Sequence, residues 1–161
     1  MKTDFVKSFA EGIFETIGKE ISKVTSKMNS EFEVRCLQHY LSGKGEDIIL
    51  SEDEFARISA IAKEQALENG KLTDATAIEV NGKKYFRKIV SFYNCTEFDY
   101  ALGNAHVFFD ENNNVVGFKD RYDFNPATHR GEQEEALSRL MKKIEIFLDA
   151  KEYDILYGIY K

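Results

Sequence analysis

The sequence predicts an α+β fold in which N-terminal helices precede an antiparallel sheet that can be half-barrel-like, and in which a helix and a C-terminal strand come last. Apolar residues recur at helical spacing before residue 70, and they alternate at strand spacing after residue 75. Helices followed by a run of strands are typical of the α+β class. The 161 residues suit one compact domain, with residues 1–30 and 31–70 helical and residues 75–161 rich in sheet.

The first 30 residues carry the apolar stripe of an amphipathic helix. The members of the stripe follow one another at steps of three or four residues: Phe5, Phe9, Ile13, Ile17, Ile21, Val24 and Met28. The opposite face mixes acidic and basic side chains, whereas a helix that lies on a membrane normally has a cationic face. We therefore expect this helix to pack on the domain or on a neighbouring segment.

Two further helices are predicted before the sheet. The shorter one surrounds Cys36 and ends where two glycines follow. The longer one begins after Ser51, because Ser51 and Glu54 stand at capping-box spacing. We expect it to stop at Asn69-Gly70, where glycine would supply a left-handed C-cap.

Two hairpins make up most of the predicted sheet. Asn81-Gly82 is a strong two-residue turn signal, and the strand after it places Phe86, Val90 and Phe92 on one face. The second hairpin runs from YALGNAHVFF through DENNN to VVGFKDRYDF. One face of its first strand is unusually small, which indicates either close packing or space for a ligand: Ala101, Gly103, Ala105 and Val107.

The last two predicted elements are a helix and a strand. Apolar residues at helical spacing run from Glu132 to Leu148, with acidic residues near the start and lysines further on, as the helix dipole favours. The chain then closes with YDILYGIYK, in which Ile155, Tyr157 and Ile159 alternate as in a strand.

Composition lowers the expectation for several classes of function. The formal net charge is −6 and the cations are scattered, so nucleic acid is not an expected partner. Cys36 and Cys95 have no metal-site spacing, and we favour two small core residues over a disulfide. No apolar run is long enough to span a membrane, and charged residues interrupt any N-terminal signal peptide.

The segment KDRYDFNPATHRG concentrates chemically active side chains just after a predicted strand. Asp120 and Asp123, three positions apart, can converge on one hard cation such as Mg²⁺ or Ca²⁺. Tyr122 can orient a phosphate or a water, His129 can carry protons near pH 7, and Arg130 offers forked donors to phosphate oxygens. These parts suit metal-assisted phosphoryl-ester cleavage. By composition alone, however, the same residues also serve as turn formers and helix caps.

The spacing of these residues resembles a known signature. The pattern D-x-Y-D, five residues, then H-R matches at all five polar positions the active-site signature of the colicin M family: Asp120, Tyr122, Asp123, His129 and Arg130. The small-residue strand before the motif and the helix and strand after it are also similar to the family, over about the last 85 residues. The first 70 residues show no such resemblance.

The resemblance implies a single colicin M-like catalytic domain over residues 1–161, a bacteriocin toxin and metal-dependent phosphodiesterase. Such enzymes cut lipid II, the peptidoglycan precursor, between undecaprenol and pyrophosphate. Asp123, supported by Asp120, would then be the catalytic and metal-binding carboxylate, with Mg²⁺ as the expected metal and Ca²⁺ as an alternative. Tyr122 and Arg130 would hold the pyrophosphate, and His129 would shuttle the proton.

The resemblance also implies partners and a place of action. The toxin would be made in the cytoplasm, be secreted or delivered, and act in the target cell's periplasm on lipid II at the membrane surface. An immunity protein is an expected partner. The chain is too short to include the import and receptor-binding parts of protein colicins, so we expect either a toxin domain of a larger protein or a stand-alone effector.

Two other functions fit the residues less well. A non-catalytic immunity or adaptor module would account for the acidic charge, but it would not require the ordered signature. A metal-dependent phosphodiesterase with another substrate, such as a nucleotide, would use the same side chains.

Overall fold

The computed structural model describes residues 28–93, 95, 97–99, 101–122 and 150–159, together with the helical residues 15, 18, 19, 21, 22, 25 and 26. The fold of these residues is α+β, which confirms the predicted class. Besides the N-terminal helical residues just named, it contains two helices and a six-stranded, mostly antiparallel sheet that does not close, with a separate two-stranded sheet. The helix predicted from Glu132 to Leu148 lies outside the described residues.

The elements are numbered here in chain order within the described residues. The helices are α1 (Glu31–Leu41) and α2 (Glu52–Ala66). The strands are β1 (Ile48–Ile49), β2 (Leu67–Glu68), β3 (Lys71–Leu72), β4 (Thr76–Val80), β5 (Lys83–Ser91), β6 (Asn104–Phe109), β7 (Val115–Tyr122) and β8 (Tyr153–Gly158).

Both helices begin at a serine that caps the free backbone N–H groups. The hydroxyl of Ser30 accepts a hydrogen bond from the backbone N–H of Glu33 at 3.2 Å. At α2 the predicted capping box is complete, since Ser51 Oγ accepts from Glu54 N at 3.1 Å and Glu54 Oε1 accepts from Ser51 N at 2.9 Å. Reciprocal caps of this kind define where a helix starts.

The predicted end of α2 is wrong. The helix ends at Ala66, and Asn69-Gly70 is the turn of a small hairpin in which Leu67 pairs with Leu72. Asn69 and Gly70 have φ values of 52° and 76°, the left-handed pair that a type I′ hairpin turn requires. Asn-Gly suits a helix C-cap and a hairpin turn equally well in sequence, and strand pairing selects the hairpin. Asn81-Gly82, with φ values of 50° and 79°, forms the predicted turn between β4 and β5.

The six-stranded sheet has the order β1-β8-β7-β6-β5-β4. The antiparallel pairs β4–β5 and β5–β6 lead to the predicted second hairpin, β6–β7, in which Val107 pairs with Phe118. The C-terminal strand, β8, is confirmed and pairs with β7. At its other edge β8 pairs in parallel with the two-residue β1, a contact that the sequence did not predict.

One face of the sheet packs against α1 and α2 and forms the core. We call it the inner face; it includes Val90 and Phe92, which share a face, as predicted, and are both buried. Ile21 and Met28 also pack against this core, which agrees with the expectation that the N-terminal stripe packs on the domain.

Close packing explains the small residues of the second hairpin. Ala101, Ala105 and Val107 are buried in the core, so that face holds no ligand space. A Cβ on Gly103 would lie 2.7 Å from the hydroxyl oxygen of Tyr93. Close packing, and not space for a ligand, therefore explains these small residues.

Two glycines with similar backbone angles allow a matched test of the β7–β8 register. Gly158 and Gly82 have φ values of 71° and 79°. A Cβ at Gly158 would overlap the carbonyl oxygen of Val116, whereas a Cβ at Gly82 would have no heavy atom within 4 Å. We expect Gly82→Ala to lower the free energy of unfolding by about 1–2 kcal/mol through backbone strain, and Gly158→Ala by about 3 kcal/mol or more.

Urea unfolding followed by circular dichroism would measure both values on the same chain. Equal losses for the two variants would contradict the close approach of Gly158 to β7.

Candidate functional site

The end of β7 positions the first two residues of the signature. Because side chains alternate along a strand, Phe118, Asp120 and Tyr122 all point to the inner face, and all three are buried. Arg121, the variable position of the motif, points to the opposite face. There it makes an ion pair with Glu152 at 3.3 Å and another with its cross-strand neighbour Asp154 at 3.2 Å.

Asp120 is a buried carboxylate held by backbone donors. Its side chain is 8% exposed; Oδ2 accepts a hydrogen bond from Gly103 N at 3.1 Å, and Oδ1 accepts one from Arg121 N at 2.9 Å. Such charge-assisted bonds offset the loss of hydration on burial and set the orientation of the carboxylate. The donor from Gly103 also links the entry to β6 with the motif on β7.

Tyr122 lies in a cluster of aromatic rings. Its ring stacks on Tyr153 of β8, with centroids 5.0 Å apart and planes 12° from parallel, and it contacts the ring of Tyr40 on α1 at 5.6 Å. Tyr122 is only 2% exposed. In this position its ring contributes packing, and its hydroxyl does not reach solvent.

Tyr153 connects this cluster to the helices. Its hydroxyl donates a hydrogen bond of 2.5 Å to the backbone carbonyl of Cys36 on α1. The ring of His39, also on α1, meets Tyr153 edge-on at 4.5 Å. Burial is the main cause that raises the pKa of Tyr153, with the neighbouring Cys36 and Tyr122 adding to it. The phenol therefore stays protonated and keeps its role as donor.

Three predicted site residues, Asp123, His129 and Arg130, lie outside the described residues. The structure thus places Asp120 and Tyr122 together on the inner face of β7, and the convergence of all five residues stays a prediction. Sequence reasoning did not identify Tyr40 and Tyr153 as the framework of the motif. The alternation of Tyr153 with Ile155 was the available signal, because it places Tyr153 on the inner face.

His106 does not join this cluster. It pairs with Lys119 and Ile89 across neighbouring strands, on the face opposite to Asp120. Burial lowers the pKa of His106, and the nearby cations Arg87 and Lys119 lower it further. Its Nδ1 atom is buried and has no hydrogen-bond partner in the part of the chain that the structure describes. The donor to Asp120 from this hairpin is instead the backbone of Gly103, just before β6.

The described part of the site fits a metal only in part. Within residues 28–122 and 150–159, as far as they are described, no group of three or more His, Cys, Asp or Glu could hold a metal ion. Asp120 offers the oxygen chemistry that Mg²⁺ prefers, and its two carboxylate oxygens accept hydrogen bonds from the backbone N–H groups of Gly103 and Arg121. A metal site would therefore depend on Asp123.

Both cysteines are free thiols, in agreement with the preference for core residues over a disulfide. Cys36 is buried below the aromatic cluster, and Cys95 is partly exposed. Burial is the main cause that raises the pKa of Cys36 to about 12. Burial also raises the pKa of Cys95, with Asp99 and Glu64 adding to the effect.

A comparison with protein families identifies a match in this part of the chain. Residues 103–158 match a family described as Colicin M. The matched region contains β6, β7, β8 and all five signature positions, about one third of the chain and less than the resemblance suggested. It confirms a colicin M-like region. No curated protein and no solved structure matches the chain.

No helix among the described residues has the length and apolar character needed to cross a membrane.

The hydroxyl of Tyr153 can be tested with a matched pair of tyrosines. Tyr153→Phe leaves the carbonyl of Cys36 without this donor, so the free energy of unfolding should fall by about 1–2 kcal/mol. Tyr157→Phe keeps the ring that stacks on Phe55 and removes a hydroxyl with no hydrogen bond among the described residues, so the change should stay within about 0.5 kcal/mol. Chemical denaturation would measure both, and equal changes would contradict the proposed link to α1.

The two thiols should differ in reactivity. Because the thiolate is the nucleophile, alkylation of the folded chain should modify Cys95 first and Cys36 only on unfolding. Mass spectrometry would show this, and Cys95→Ser should leave the folded chain unlabelled. Equal labelling of both thiols in the folded chain would contradict the burial of Cys36.

The raised pKa of Cys36 also makes stability depend on pH. The folded chain binds the Cys36 proton more tightly than the unfolded chain does, so the contribution of the protonated thiol to stability is complete below pH 9.0 and is lost as the pH rises toward about 12.

Proposed function

We propose that this chain, whose residues 103–158 form a colicin M-like region, is an antibacterial toxin that hydrolyses lipid II between undecaprenol and pyrophosphate. The observation that carries the proposal is the complete signature inside the matched region, on and just after β7. The buried and hydrogen-bonded state of Asp120 supports it, because an ionisable side chain held in this way at a strand end suits a prearranged reaction centre.

The proposed reaction adds water across the phosphoester bond. Water supplies the oxygen that joins phosphorus, and a proton goes to the leaving oxygen of undecaprenol; the second product is the pyrophosphorylated disaccharide peptide. Asp123 would position and deprotonate the water, and His129 would deliver the proton to the leaving oxygen. Arg130 would hold the pyrophosphate through its forked donors.

Asp120 and Tyr122 would act mainly by positioning Asp123. Asp120 is held by two backbone N–H groups, and the Tyr122 ring stacks on Tyr153, so both side chains secure the end of β7 just before Asp123. The burial of Tyr122 favours this role over the direct contact with pyrophosphate that the resemblance implies.

We include Mg²⁺ in the proposal, with Ca²⁺ as the alternative, held by Asp123 together with Asp120. A bound divalent ion would neutralise charge on the pyrophosphate oxygens. We also propose that the chain acts in the periplasm of the target cell and that an immunity protein protects the producing cell. These points rest on the family resemblance and on the oxygen chemistry of the two carboxylates.

The test is hydrolysis of purified lipid II in detergent micelles with and without Mg²⁺. The wild-type chain should release undecaprenol when Mg²⁺ is present, and Asp123→Asn should reduce the rate at least about a hundredfold, as expected for loss of a catalytic carboxylate. Glu111→Gln is the matched control: it also converts one carboxylate to an amide, on the exposed turn before β7, and should leave the rate unchanged. Circular dichroism would establish that both variants are folded.

Two outcomes would replace the proposal. Stoichiometric binding to a partner toxin without any release of undecaprenol would identify an immunity or adaptor module. Hydrolysis of nucleotides or nucleic acid, with lipid II left intact in the same Mg²⁺ buffer, would identify a phosphodiesterase with another substrate.

A further inference from the structure

The face of the sheet that points away from α1 and α2 combines an exposed apolar side chain with cations. Ile89 on β5 is 60% exposed, the larger of the two exposures found for big apolar side chains among the described residues. Arg87 precedes it by two positions on the same face and is exposed. His106 and Lys119 follow across β6 and β7 in the same row as Ile89, and both are half-buried. We call these four residues the basic outer patch.

The charge of this face differs in sign from that of the whole chain. The chain has a formal net charge of −6, yet Arg87 and Lys119 lie close enough to His106 to lower its pKa, after burial as the main cause. Two acidic residues lie on this side of the sheet, Asp154 on β8 and Glu152 just before it, and both form ion pairs with Arg121. A local cationic field on an acidic protein attracts anionic surfaces.

We propose that the basic outer patch docks the protein on an anionic lipid membrane, with Ile89 entering the interface and the cations facing the headgroups. An exposed aliphatic side chain that is flanked by basic groups is the pattern of surface membrane binding, in which apolar burial adds to attraction for anionic lipid. The biological setting rests on the proposed function, because lipid II lies in a membrane. The docking itself depends only on the composition of this face.

The patch lies near the end of β7, on the face opposite to the buried side chains of Asp120 and Tyr122. Arg121, on the outer face next to the patch row, follows Asp120 directly and precedes Tyr122. Membrane contact through the outer face would therefore bring the backbone at the end of β7 near the lipid surface, while the Asp120 and Tyr122 side chains point away from it. A protein partner with acidic residues would be attracted by the same cations, but it would not need the exposed Ile89.

The experiment is co-sedimentation of the full chain with lipid vesicles. One set contains equal amounts of phosphatidylglycerol and phosphatidylcholine, and the other contains phosphatidylcholine alone. The wild-type chain should bind the anionic vesicles and bind the neutral ones much less. Arg87→Gln should weaken binding to the anionic vesicles about fivefold, as expected for one basic residue at such a surface. The double variant R87Q/I89Q should weaken it further.

The chain offers a matched control for the change in charge. Lys71 on β3, in the separate two-stranded sheet, is an exposed cation outside the patch. Lys71→Gln removes one positive charge as Arg87→Gln does, and it should bind vesicles like the wild-type chain. Equal losses for Lys71→Gln and Arg87→Gln, or equal binding of the wild-type chain to both vesicle types, would overturn the proposal.

Two further measurements separate the sources of failure. If R87Q/I89Q retains hydrolysis of lipid II in detergent micelles but loses it on anionic vesicles, the patch acts in docking and not in chemistry. Absence of hydrolysis by the wild-type chain in micelles would refute the proposed function and leave the vesicle result standing. Binding to duplex DNA that is as tight as vesicle binding and unchanged by Ile89→Gln would identify a general polyanion surface and overturn membrane docking.

Discussion

The pairing of β7 with β8 is the constraint on which the rest of the described structure depends. It places Tyr122 beside Tyr153, and the hydroxyl of Tyr153 in turn bonds the carbonyl of Cys36 on α1. One antiparallel ladder therefore joins the sheet, the C-terminal strand and the first described helix. Because the Tyr153 hydroxyl is buried, this bond contributes directionality that apolar packing alone does not have. A slip of one residue would turn Tyr122 and Asp120 to the wrong face.

The same register explains how a carboxylate can be kept in the interior. Asp120 needs donors in place of water, and the backbone N–H groups of Gly103 and Arg121 supply them. Gly103 is close to the Tyr93 hydroxyl, so a larger residue there would displace the end of the Tyr93 side chain. The small side chains of this hairpin and the buried acid are thus two parts of one arrangement. Together they hold the start of the signature at a defined point on the inner face.

The two faces of the sheet differ in composition and in their proposed roles. The inner face is apolar except for hydrogen-bonded polar groups such as Asp120, and it carries the first two residues of the signature. The outer face carries Arg87, Lys119 and Arg121 around an exposed Ile89, although the chain as a whole is acidic. Alternation of side chains along each strand allows this separation, so one sheet can provide both a rigid base for chemistry and a charged surface for contact.

Features that depend on neighbouring residues could be predicted from the amino-acid sequence. The capping box of α2, the Asn81-Gly82 turn, the alternating faces of β5 and the spacing of the signature all arise within a few positions, where local geometry decides. Features that depend on the pairing of distant residues could not be predicted and follow from the folded structure. These are the hairpin at Asn69-Gly70, the parallel contact of β1 with β8, and the burial of Asp120 and Tyr122 against groups far away in the chain. Local conformational preferences do not distinguish between these alternative structures, and the contacts of the folded chain select one of them.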